Sequence, residues 1–392
     1  MDKRNFGKSS EQISLLGFGC MRLPVDPESK EIVVPAATAM LDYAYEHGVN
    51  YFDTAWGYLN GKSEAFVGSV LKKYPRQNFH LASKMPGWLL KDLPAAKELF
   101  STQLQRCQVD YFDFYLLHSL TTQEEFERLY VKERVLDYLQ QEKKTGRIRK
   151  LGFSFHGTLE LMKYVLNNFP LDFVQIQLNY QDWDTMNARA LYDLAVEHQL
   201  PCIIMEPVRG GTLASLNETA ADILHQAAPE KSLASWAIRY VASLPGVLTV
   251  LSGMTTMEQL QDNLKNTSGF QALTTEERNT LQQALEAYLQ LRPIPCTACA
   301  YCMPCPFGVD IPGNFSAYNQ CAGKRLLPEL ARKDAQNLQQ KQDEFLQLWN
   351  KIPVDALAAQ CQSCGQCLPK CPQHIAIPER LKELQELLDQ MR

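Results

Sequence analysis

Short apolar runs alternate with amphipathic segments over roughly the first 290 residues of the chain. The runs are apolar throughout, which is typical of strands that are buried on both faces of a parallel sheet. The segments between them carry apolar residues at helical spacing. The predicted strands are Ile13–Cys20, Val49–Asp53, His80–Lys84, Phe112–His118, Ile148–Ser154, Phe173–Leu178, Cys202–Glu206 and Val247–Ser252.

The predicted strands and helices alternate, which indicates βαβ units. The helices include Pro35–His47, Ser63–Tyr74, Leu93–Gln108, Gln123–Thr145 and Asn187–His198. Eight such units in this length suit an α/β fold of the (β/α)8 TIM-barrel type. A doubly wound sheet is the alternative, but the Gly-Phe-Gly-Cys sequence at 17–20 lacks the third glycine of a dinucleotide fingerprint.

A proline-containing linker, Leu291–Pro295, predicts a boundary between two domains. Its prolines end the preceding helix, Thr275–Gln290, and force an extended backbone. Beyond it lie a cysteine group, a mostly helical stretch to about Trp349, a second cysteine group and a final amphipathic helix, Pro378–Met391. The predicted domains are a barrel over residues 1–292 and a small, mostly helical domain over residues 293–392.

Charge and composition limit the partners and the cellular location that we expect for the protein. The net charge is −5 and the sequence has no basic block, so we expect neither nucleic acid nor a membrane surface as a partner. No apolar run reaches the roughly 18 residues of a membrane span. The segment Met1–Glu11 is polar and lacks the apolar core of a signal peptide, so we expect a cytoplasmic protein.

Four ionisable side chains fall at or just after the ends of three successive predicted strands. Asp53 ends the second strand, Lys84 the third and His118 the fourth, and Tyr58 follows in the loop after Asp53. The carboxyl ends of barrel strands meet at one face, so these side chains are expected to converge. Carbonyl reduction needs a proton donor, and a tyrosine whose pKa is lowered by a neighbouring ammonium suits that role.

Three motifs carry these residues: Asp53-Thr54-Ala55-Trp56-Gly57-Tyr58, Ser83-Lys84 and Leu116-Leu117-His118. They resemble motifs of the aldo-keto reductase family, and the resemblance covers nearly all of the first 290 residues. It implies that Tyr58 is the general acid, that Lys84 and Asp53 tune it, and that His118 orients the substrate. It also implies that NADPH or NADH donates hydride directly to a small carbonyl compound, without a flavin.

The resemblance is weaker on the cofactor side. Phe155 stands where many members have an asparagine, and Met205 where many have the tyrosine that stacks on nicotinamide. No basic residue occurs between Gly253 and Asn263, so the choice between NADPH and NADH stays open. The implied contacts are Ser154 and Gln175 with the carboxamide, Pro207, Arg209, Gly210 and Gly211 with the pyrophosphate, and Gly253, Thr255, Gln259 and Asn263 with the adenosine end.

Nine of the twelve cysteines lie between Cys296 and Cys371. In a chain expected to be cytoplasmic, this clustering favours metal ligation over disulfides. The second group, Cys361-x2-Cys364-x2-Cys367-x3-Cys371-Pro372, has the spacing of a bacterial ferredoxin and predicts a [4Fe–4S] cluster. The first group, Cys296-x2-Cys299-x2-Cys302-x2-Cys305-Pro306, is one residue shorter in its last gap.

The first group suits either a second cluster or a zinc ion held by four thiolates, and its pairing with the second group favours a cluster. The ligand sets are then expected to cross, as in two-cluster ferredoxins, with one cysteine exchanged between the groups. One set is Cys296, Cys299, Cys302 and Cys371, and the other is Cys361, Cys364, Cys367 and Cys305. Cys321, in the helical insert, is expected to be a small buried hydrophobe.

Two functions are compatible with these features. The first is an NAD(P)H-dependent carbonyl reductase in which the clusters serve an electron-transfer partner or stabilise their domain. The second is a redox sensor or electron-transfer protein whose barrel binds the nicotinamide cofactor without substantial carbonyl turnover. Phe155 and Met205 favour the second, whereas the complete set of four ionisable residues favours the first.

Overall fold

The computed structural model describes residues 1–331 and 337–391. Contacts between residues divide the chain into two compact units. The barrel unit comprises Met1–Pro207 and Ser235–Leu273, and the C-terminal unit comprises Val208–Ala234 and Thr274–Arg392. The domain boundary expected at residue 292 stays a prediction, because the compact units divide at different positions.

Eight parallel strands close into a barrel, which confirms the predicted TIM-barrel fold. A short antiparallel hairpin of β1 (Lys3–Asn5) and β2 (Gln12–Ser14) precedes it. The barrel strands are β3 (Leu16–Gly19), β4 (Tyr51–Asp53), β5 (His80–Met85), β6 (Phe112–Leu120), β7 (Ile148–Phe155), β8 (Val174–Gln177), β9 (Cys202–Met205) and β10 (Val247–Gly253). They follow one another in chain order, and β10 closes the barrel against β3.

Helices connect the strands and fill the C-terminal unit. They are α1 (Val34–Glu46), α2 (Ser63–Leu71), α3 (Leu93–Cys107), α4 (Gln123–Phe126), α5 (Val135–Lys144), α6 (Leu159–Asn168), α7 (Asp182–Thr185), α8 (Ala188–Glu197), α9 (Glu218–Ala227), α10 (Leu233–Ala242), α11 (Met257–Thr267), α12 (Thr275–Leu289), α13 (Ile311–Gly323), α14 (Pro328–Ala331), α15 (Leu338–Trp349) and α16 (Ile377–Met391). No helix among residues 1–331 and 337–391 is long and apolar enough to cross a membrane.

The prediction of one continuous helix over Gln123–Thr145 was wrong, because the structure interrupts it. After α4 the chain forms a π-helical turn, Glu127–Lys132, before α5 begins. Arg134, at the start of α5, has a φ of 59°, in the left-handed region. A right-handed helix cannot pass through such a residue, so the segment divides there.

Large apolar side chains fill the interior of the barrel. Tyr51, Phe114 and Leu248 come from different strands, and Phe173 directly precedes β8; the four side chains form one buried cluster. Phe6, from the hairpin loop, joins them and meets Phe114 edge to face, with ring centroids 5.6 Å apart. The interior is therefore a packed core, and only the ends of the strands are left to form a site.

The C-terminal unit has its own apolar core. Phe315 of α13, Phe345 and Trp349 of α15, and Leu384 of α16 are buried together. Cys321 lies in the same core and is fully buried. The predicted linker contains no helix or strand, and regular structure resumes at α13. There the side chain of Asp310 accepts the N–H of Gly313 and caps the helix.

Candidate functional site

The alternation of side chains along the strands places three of the predicted catalytic residues on the inside of the barrel. Tyr51, Ala82 and Leu116 belong to the interior core. Asp53, Lys84 and His118 each lie two residues farther along the same strand. Because side chains two residues apart point to the same face of a strand, all three point inward at the carboxyl ends.

Asp53 and Lys84 form a buried ion pair. The Nζ of Lys84 donates to Oδ1 of Asp53 at 2.6 Å and to the carbonyl oxygen of Thr54 at 2.8 Å. Lys84 is 0% exposed and Asp53 is 3% exposed. Burial raises the pKa of Asp53, and the charge and hydrogen bond of Lys84 oppose that rise. The second carboxylate oxygen, Oδ2, has no hydrogen-bond partner among the described residues.

Tyr58 lies against both Lys84 and His118. The ammonium of Lys84 is 4.7 Å from the centre of the tyrosine ring, and the ring centroids of Tyr58 and His118 are 6.2 Å apart. The lowered pKa expected for Tyr58 is not found in the structure. Burial raises its pKa well above 10, and the carboxylate of Asp53 adds to the rise. Tyr58 is therefore protonated at neutral pH, which is the form that a proton donor requires.

His118 is 6% exposed and has an unpaired ring nitrogen. Its Nδ1 is buried without a hydrogen-bond partner among the described residues. Burial lowers the pKa of His118 well below 6.5, and the positive charge of Lys84 lowers it further. The imidazole is consequently neutral at physiological pH. The ring of Trp88 lies 4.9 Å from it and forms an aromatic wall beside the site.

A buried polar network, which the sequence analysis missed, supports the strand that carries Lys84. The amide nitrogen of Gln103 donates to the Lys84 carbonyl at 3.0 Å and to Oε1 of Glu64 at 2.6 Å. Ser83 also donates to Oε1 of Glu64, at 2.7 Å. Gln103 lies on α3 and Glu64 on α2, so the network ties both helices to β5. Its only signal in the sequence is a set of polar residues on the buried faces of amphipathic helices.

Gln175 and Ser154 lie near each other on adjacent strands. Their Cα positions are paired in the register of β7 and β8, and both residues are 2% exposed. Oγ of Ser154 accepts the N–H of Ser119 at 2.7 Å. The Gln175 amide nitrogen contacts the Met205 sulfur at 3.5 Å, while its Oε1 is buried without a partner among the described residues. That oxygen can accept a hydrogen bond from a ligand amide such as a carboxamide.

The segment after β10 forms the N-terminus of α11. Oε1 of Gln259 accepts the N–H of Thr255 at 2.8 Å, and Gln259 forms a capping box with Thr256. The amide of Asn263 donates to Ser252 Oγ at 2.9 Å. These polar groups thus contribute to helix capping and local packing, and the helix N-terminus is a suitable place for an anion.

A basic residue does lie beside Gly253, although none occurs in the sequence between Gly253 and Asn263. A Cβ built on Gly253 would be 3.0 Å from Cδ of Arg22. The hydroxyl of Thr255 donates a hydrogen bond to the carbonyl oxygen of Arg22 at 3.0 Å. Arg22 also pairs with Glu206 at 3.8 Å. Arg22 follows β3, so its position at a strand end was the signal by which the sequence could have revealed it.

The predicted pyrophosphate loop falls on both sides of the division between units. Pro207 ends the first segment of the barrel unit, whereas Arg209, Gly210 and Gly211 belong to the C-terminal unit. Arg209 is 2% exposed. Both glycines have positive φ, 63° for Gly210 and 95° for Gly211. This backbone conformation is one that only glycine adopts without strain.

The cysteines of the C-terminal unit line two cavities. One is lined by Cys296, Cys299, Cys302 and Cys371. The other is lined by Cys305, Cys361, Cys364 and Cys367, and Cys302 reaches it as well. Among the described residues, no three His, Cys, Asp or Glu side chains form a group that could hold a single metal ion. Cys305 therefore lines a different cavity from Cys296 and Cys299 of its own sequence group, and only Cys302 lines both.

Comparison with known proteins identifies the family of this fold and site. Residues 15–286, well over half of the chain, match the family model described as the aldo/keto reductase family. The chain belongs to that family. Residues 295–377 of this aldo/keto reductase match the 4Fe-4S dicluster domain. The two matches confirm the resemblance seen in the sequence, and they make the protein an oxidoreductase with an iron–sulfur domain.

Similar proteins cover the barrel portion of this aldo/keto reductase. An uncharacterized oxidoreductase, YqkF, from Bacillus subtilis is 28% identical over 312 residues, which are 72% of this chain and 96% of the relative. The holo form of aldo-keto reductase AKR11C1 from Bacillus halodurans is 28% identical, with a TM-score of 0.60 over 72% of this chain and 96% of that one. An aldo/keto reductase from Klebsiella pneumoniae, solved with NADP and acetate, shares the fold at 24% identity, with a TM-score of 0.57 over 73% and 95% of the two chains.

Proposed function

We propose that this aldo/keto reductase reduces a small carbonyl compound with hydride from NADPH or NADH, and that Tyr58 supplies the proton. The observation that carries the proposal is the convergence of Tyr58, Lys84, Asp53 and His118 at the carboxyl end of one barrel. Such ends hold the active sites of TIM-barrel enzymes. The set combines a protonated phenol, a buried ammonium and a neutral imidazole.

Each residue has a distinct role in this proposal. Neutral His118 donates a hydrogen bond to the carbonyl oxygen and orients it. Tyr58 transfers its phenolic proton to the same oxygen as negative charge develops there. The ammonium of Lys84 faces the tyrosine ring and favours the phenolate that remains, while Asp53 fixes the ammonium in place. Solvent then returns a proton to Tyr58.

The barrel unit has groups that suit a nicotinamide cofactor, which supplies the hydride when it is bound. Oε1 of Gln175, buried and unpaired among the described residues, is an acceptor for the carboxamide N–H. Met205 is next to it, and its polarisable sulfur would suit packing against the nicotinamide ring. Arg22, beside Gly253, provides a positive charge for a phosphate group and thereby supports NADPH. NADH remains the competing cofactor, since Glu206 already pairs with Arg22.

We further propose that the C-terminal unit holds two [4Fe–4S] clusters with crossed ligand sets. The two cavities support this assignment, because Cys371 lines the cavity of the first cysteine group and Cys305 that of the second. A zinc ion bound by Cys296, Cys299, Cys302 and Cys305 would need all four thiolates about 2.3 Å from one centre. The placement of Cys305 in the other cavity favours the clusters. When bound, they supply one-electron transfer to a partner.

Tyr58→Phe tests the catalytic assignment. It removes only the phenolic oxygen, so the turnover number with a responsive carbonyl compound should fall about 100-fold or more. Nucleotide affinity, measured by fluorescence titration, should stay unchanged. Tyr111→Phe is the matched control, because Tyr111 precedes β6 and lies at the opposite end of that strand from His118.

Turnover that survives in Tyr58→Phe would refute the role of this residue. A second result would favour the alternative function. If no compound in a broad panel of aldehydes and ketones oxidises either nucleotide above background, while both nucleotides bind, the barrel serves sensing or electron transfer.

Iron and acid-labile sulfide in anaerobically purified protein test the cluster assignment. Two cubanes require about eight irons per chain. Cys371→Ser and Cys305→Ser should each lower the iron content by disturbing one cluster, with different changes in the paramagnetic resonance spectrum. Cys321→Ser is the control, since Cys321 lies in the apolar core and lines neither cavity. About four irons, or zinc alone, would contradict the two-cluster assignment.

A further inference from the structure

Arg209 is a buried cation in the C-terminal unit. It is 2% exposed, although it lies in a segment that the sequence assigned to nucleotide phosphate. Its Nη2 donates to Oε1 of Gln373 at 3.4 Å, and Gln373 is itself 5% exposed. Gln373 lines the cavity of Cys296, Cys299, Cys302 and Cys371, which we call the first cluster cavity. Arg209 therefore contacts a wall of that cavity.

The backbone next to Arg209 packs against a second part of the same wall. A Cβ built on Gly210 would lie 2.1 Å from the carbonyl oxygen of Thr297 and 2.8 Å from its Cα. Thr297 is 2% exposed and follows Cys296 directly in the cavity lining. Gly210 is thus required because two backbones meet there. This contact fixes Arg209 beside the loop that carries the first cysteine.

The contacts with Gln373 and Thr297 hold the charge of Arg209 at the wall of a cavity that four cysteines line. In the same wall, the N–H of Ala298 donates to the sulfur of Cys296 at 3.4 Å. A cubane bound by four thiolates carries net negative charge, and charge near a cluster is one of the properties that set its reduction potential.

We propose that Arg209 raises the reduction potential of the cluster in the first cluster cavity, as a positioning and tuning residue rather than a pyrophosphate ligand. The inference rests on the proposed presence of that cluster. Reduction adds one electron to the cluster, so a fixed cation beside it stabilises the reduced state more than the oxidised state. The cluster of the second cavity should lack this effect, because Arg209 contacts the wall of the first.

Arg209→Gln tests this role in the full-length holoprotein. The variant removes the charge and keeps an amide that can bond to Gln373. Potentials are measured by redox titration with dithionite, followed by paramagnetic resonance. At a fixed ambient potential, the ratio of reduced to oxidised first cluster should fall at least tenfold, which corresponds to 59 mV for one electron. The second cluster should not change. Arg209→Lys should remain close to wild type, and exposed Arg325 provides the control Arg325→Gln.

Three further measurements separate the explanations. Unchanged potentials in Arg209→Gln, together with a tenfold or larger loss of affinity for NADPH or NADH, would overturn the proposal and restore the pyrophosphate role. A loss of iron in Arg209→Gln, with full iron in Arg209→Lys, would also overturn it, because Arg209 would then be a structural element. Wild-type protein without iron–sulfur clusters would instead refute the proposed cluster content, irrespective of Arg209.

Discussion

Replacing Lys84 by methionine should leave a carboxylate buried without its cation. Asp53 is 3% exposed, and its Oδ1 accepts a hydrogen bond from the ammonium of Lys84 at 2.6 Å. The second carboxylate oxygen has none among the described residues. Methionine is close to lysine in length and shape, so Lys84→Met mainly removes the charge and the two hydrogen bonds of Nζ.

The magnitude follows from the burial of the pair. Removing one partner of a buried ion pair costs about 3–5 kcal/mol, because the other charge stays desolvated. Removing the ammonium of an exposed pair costs about 0–1 kcal/mol. The pair of Lys62 with Glu31 is of the second kind, with side chains 45% and 57% exposed. Lys62→Met is therefore the matched control for Lys84→Met.

Urea unfolding of the holoprotein, followed by tryptophan fluorescence and circular dichroism, measures the difference. Lys84→Met should unfold at a clearly lower urea concentration than Lys62→Met. Asp53→Asn added to Lys84→Met should recover most of the loss, because it removes the stranded charge. Equal destabilisation by the two lysine variants, or no recovery in the double variant, would refute the reasoning.

The pH dependence gives a second check on the same variant. Burial raises the folded-state pKa of Asp53, and Lys84 opposes that rise, so the pKa rises further in Lys84→Met. A carboxyl group with a raised folded-state pKa destabilises the fold at pH values above that pKa. The penalty then fades as the pH falls towards the ordinary value of about 3.9. The stability gap between Lys84→Met and wild type should therefore narrow in acid.

Three further outcomes follow from the structure. Gln103→Leu should lower the free energy of unfolding by about 1–3 kcal/mol, measured by urea titration, because it leaves the buried carboxylate of Glu64 with fewer donors. Because His118 is neutral, the pH–rate profile should show no inflection near pH 6.5 that is due to this residue. The lowered pKa of His118 also predicts that its contribution to stability declines as the pH falls below about 6.5, because the unfolded imidazole binds a proton there and the folded one does not. Gly210→Ala should cost iron, by metal analysis, whereas Gly211→Ala should keep it, since only the Cβ at Gly210 meets another backbone.

The barrel could be predicted from the sequence because each strand is short and apolar on both faces. Every predicted strand overlaps an observed one, and His80–Lys84 differs from β5 by one residue. The convergence of Asp53, Lys84 and His118 was also predictable, since parallel strands end at one face of the barrel. Neither prediction needs information about contacts between distant side chains.

The properties that the sequence did not predict depend on such contacts. The expected lowering of the Tyr58 pKa considered the ammonium but not the desolvation of the phenol, which has the larger effect. Arg22 lies beside Gly253 only because β10 pairs with β3 when the barrel closes. The break before α5 occurs at Arg134, a residue type that carries no signal for a left-handed conformation.

The arginine–glycine–glycine loop shows why a strand-end motif does not by itself identify a ligand. Glycines permit the close approach of any backbone or phosphate, and an arginine pairs with any anion, so the motif fits a pyrophosphate and a cluster wall equally well. The two glycines differ in the structure. The Cβ position of Gly210 is occupied by the backbone of Thr297, whereas among the described residues no atom outside Gly211 and its two chain neighbours lies within 4 Å of the Cβ position of Gly211. Gly210 is therefore committed to packing inside the C-terminal unit, and Gly211 is the member of the pair at which a phosphate can still approach the backbone.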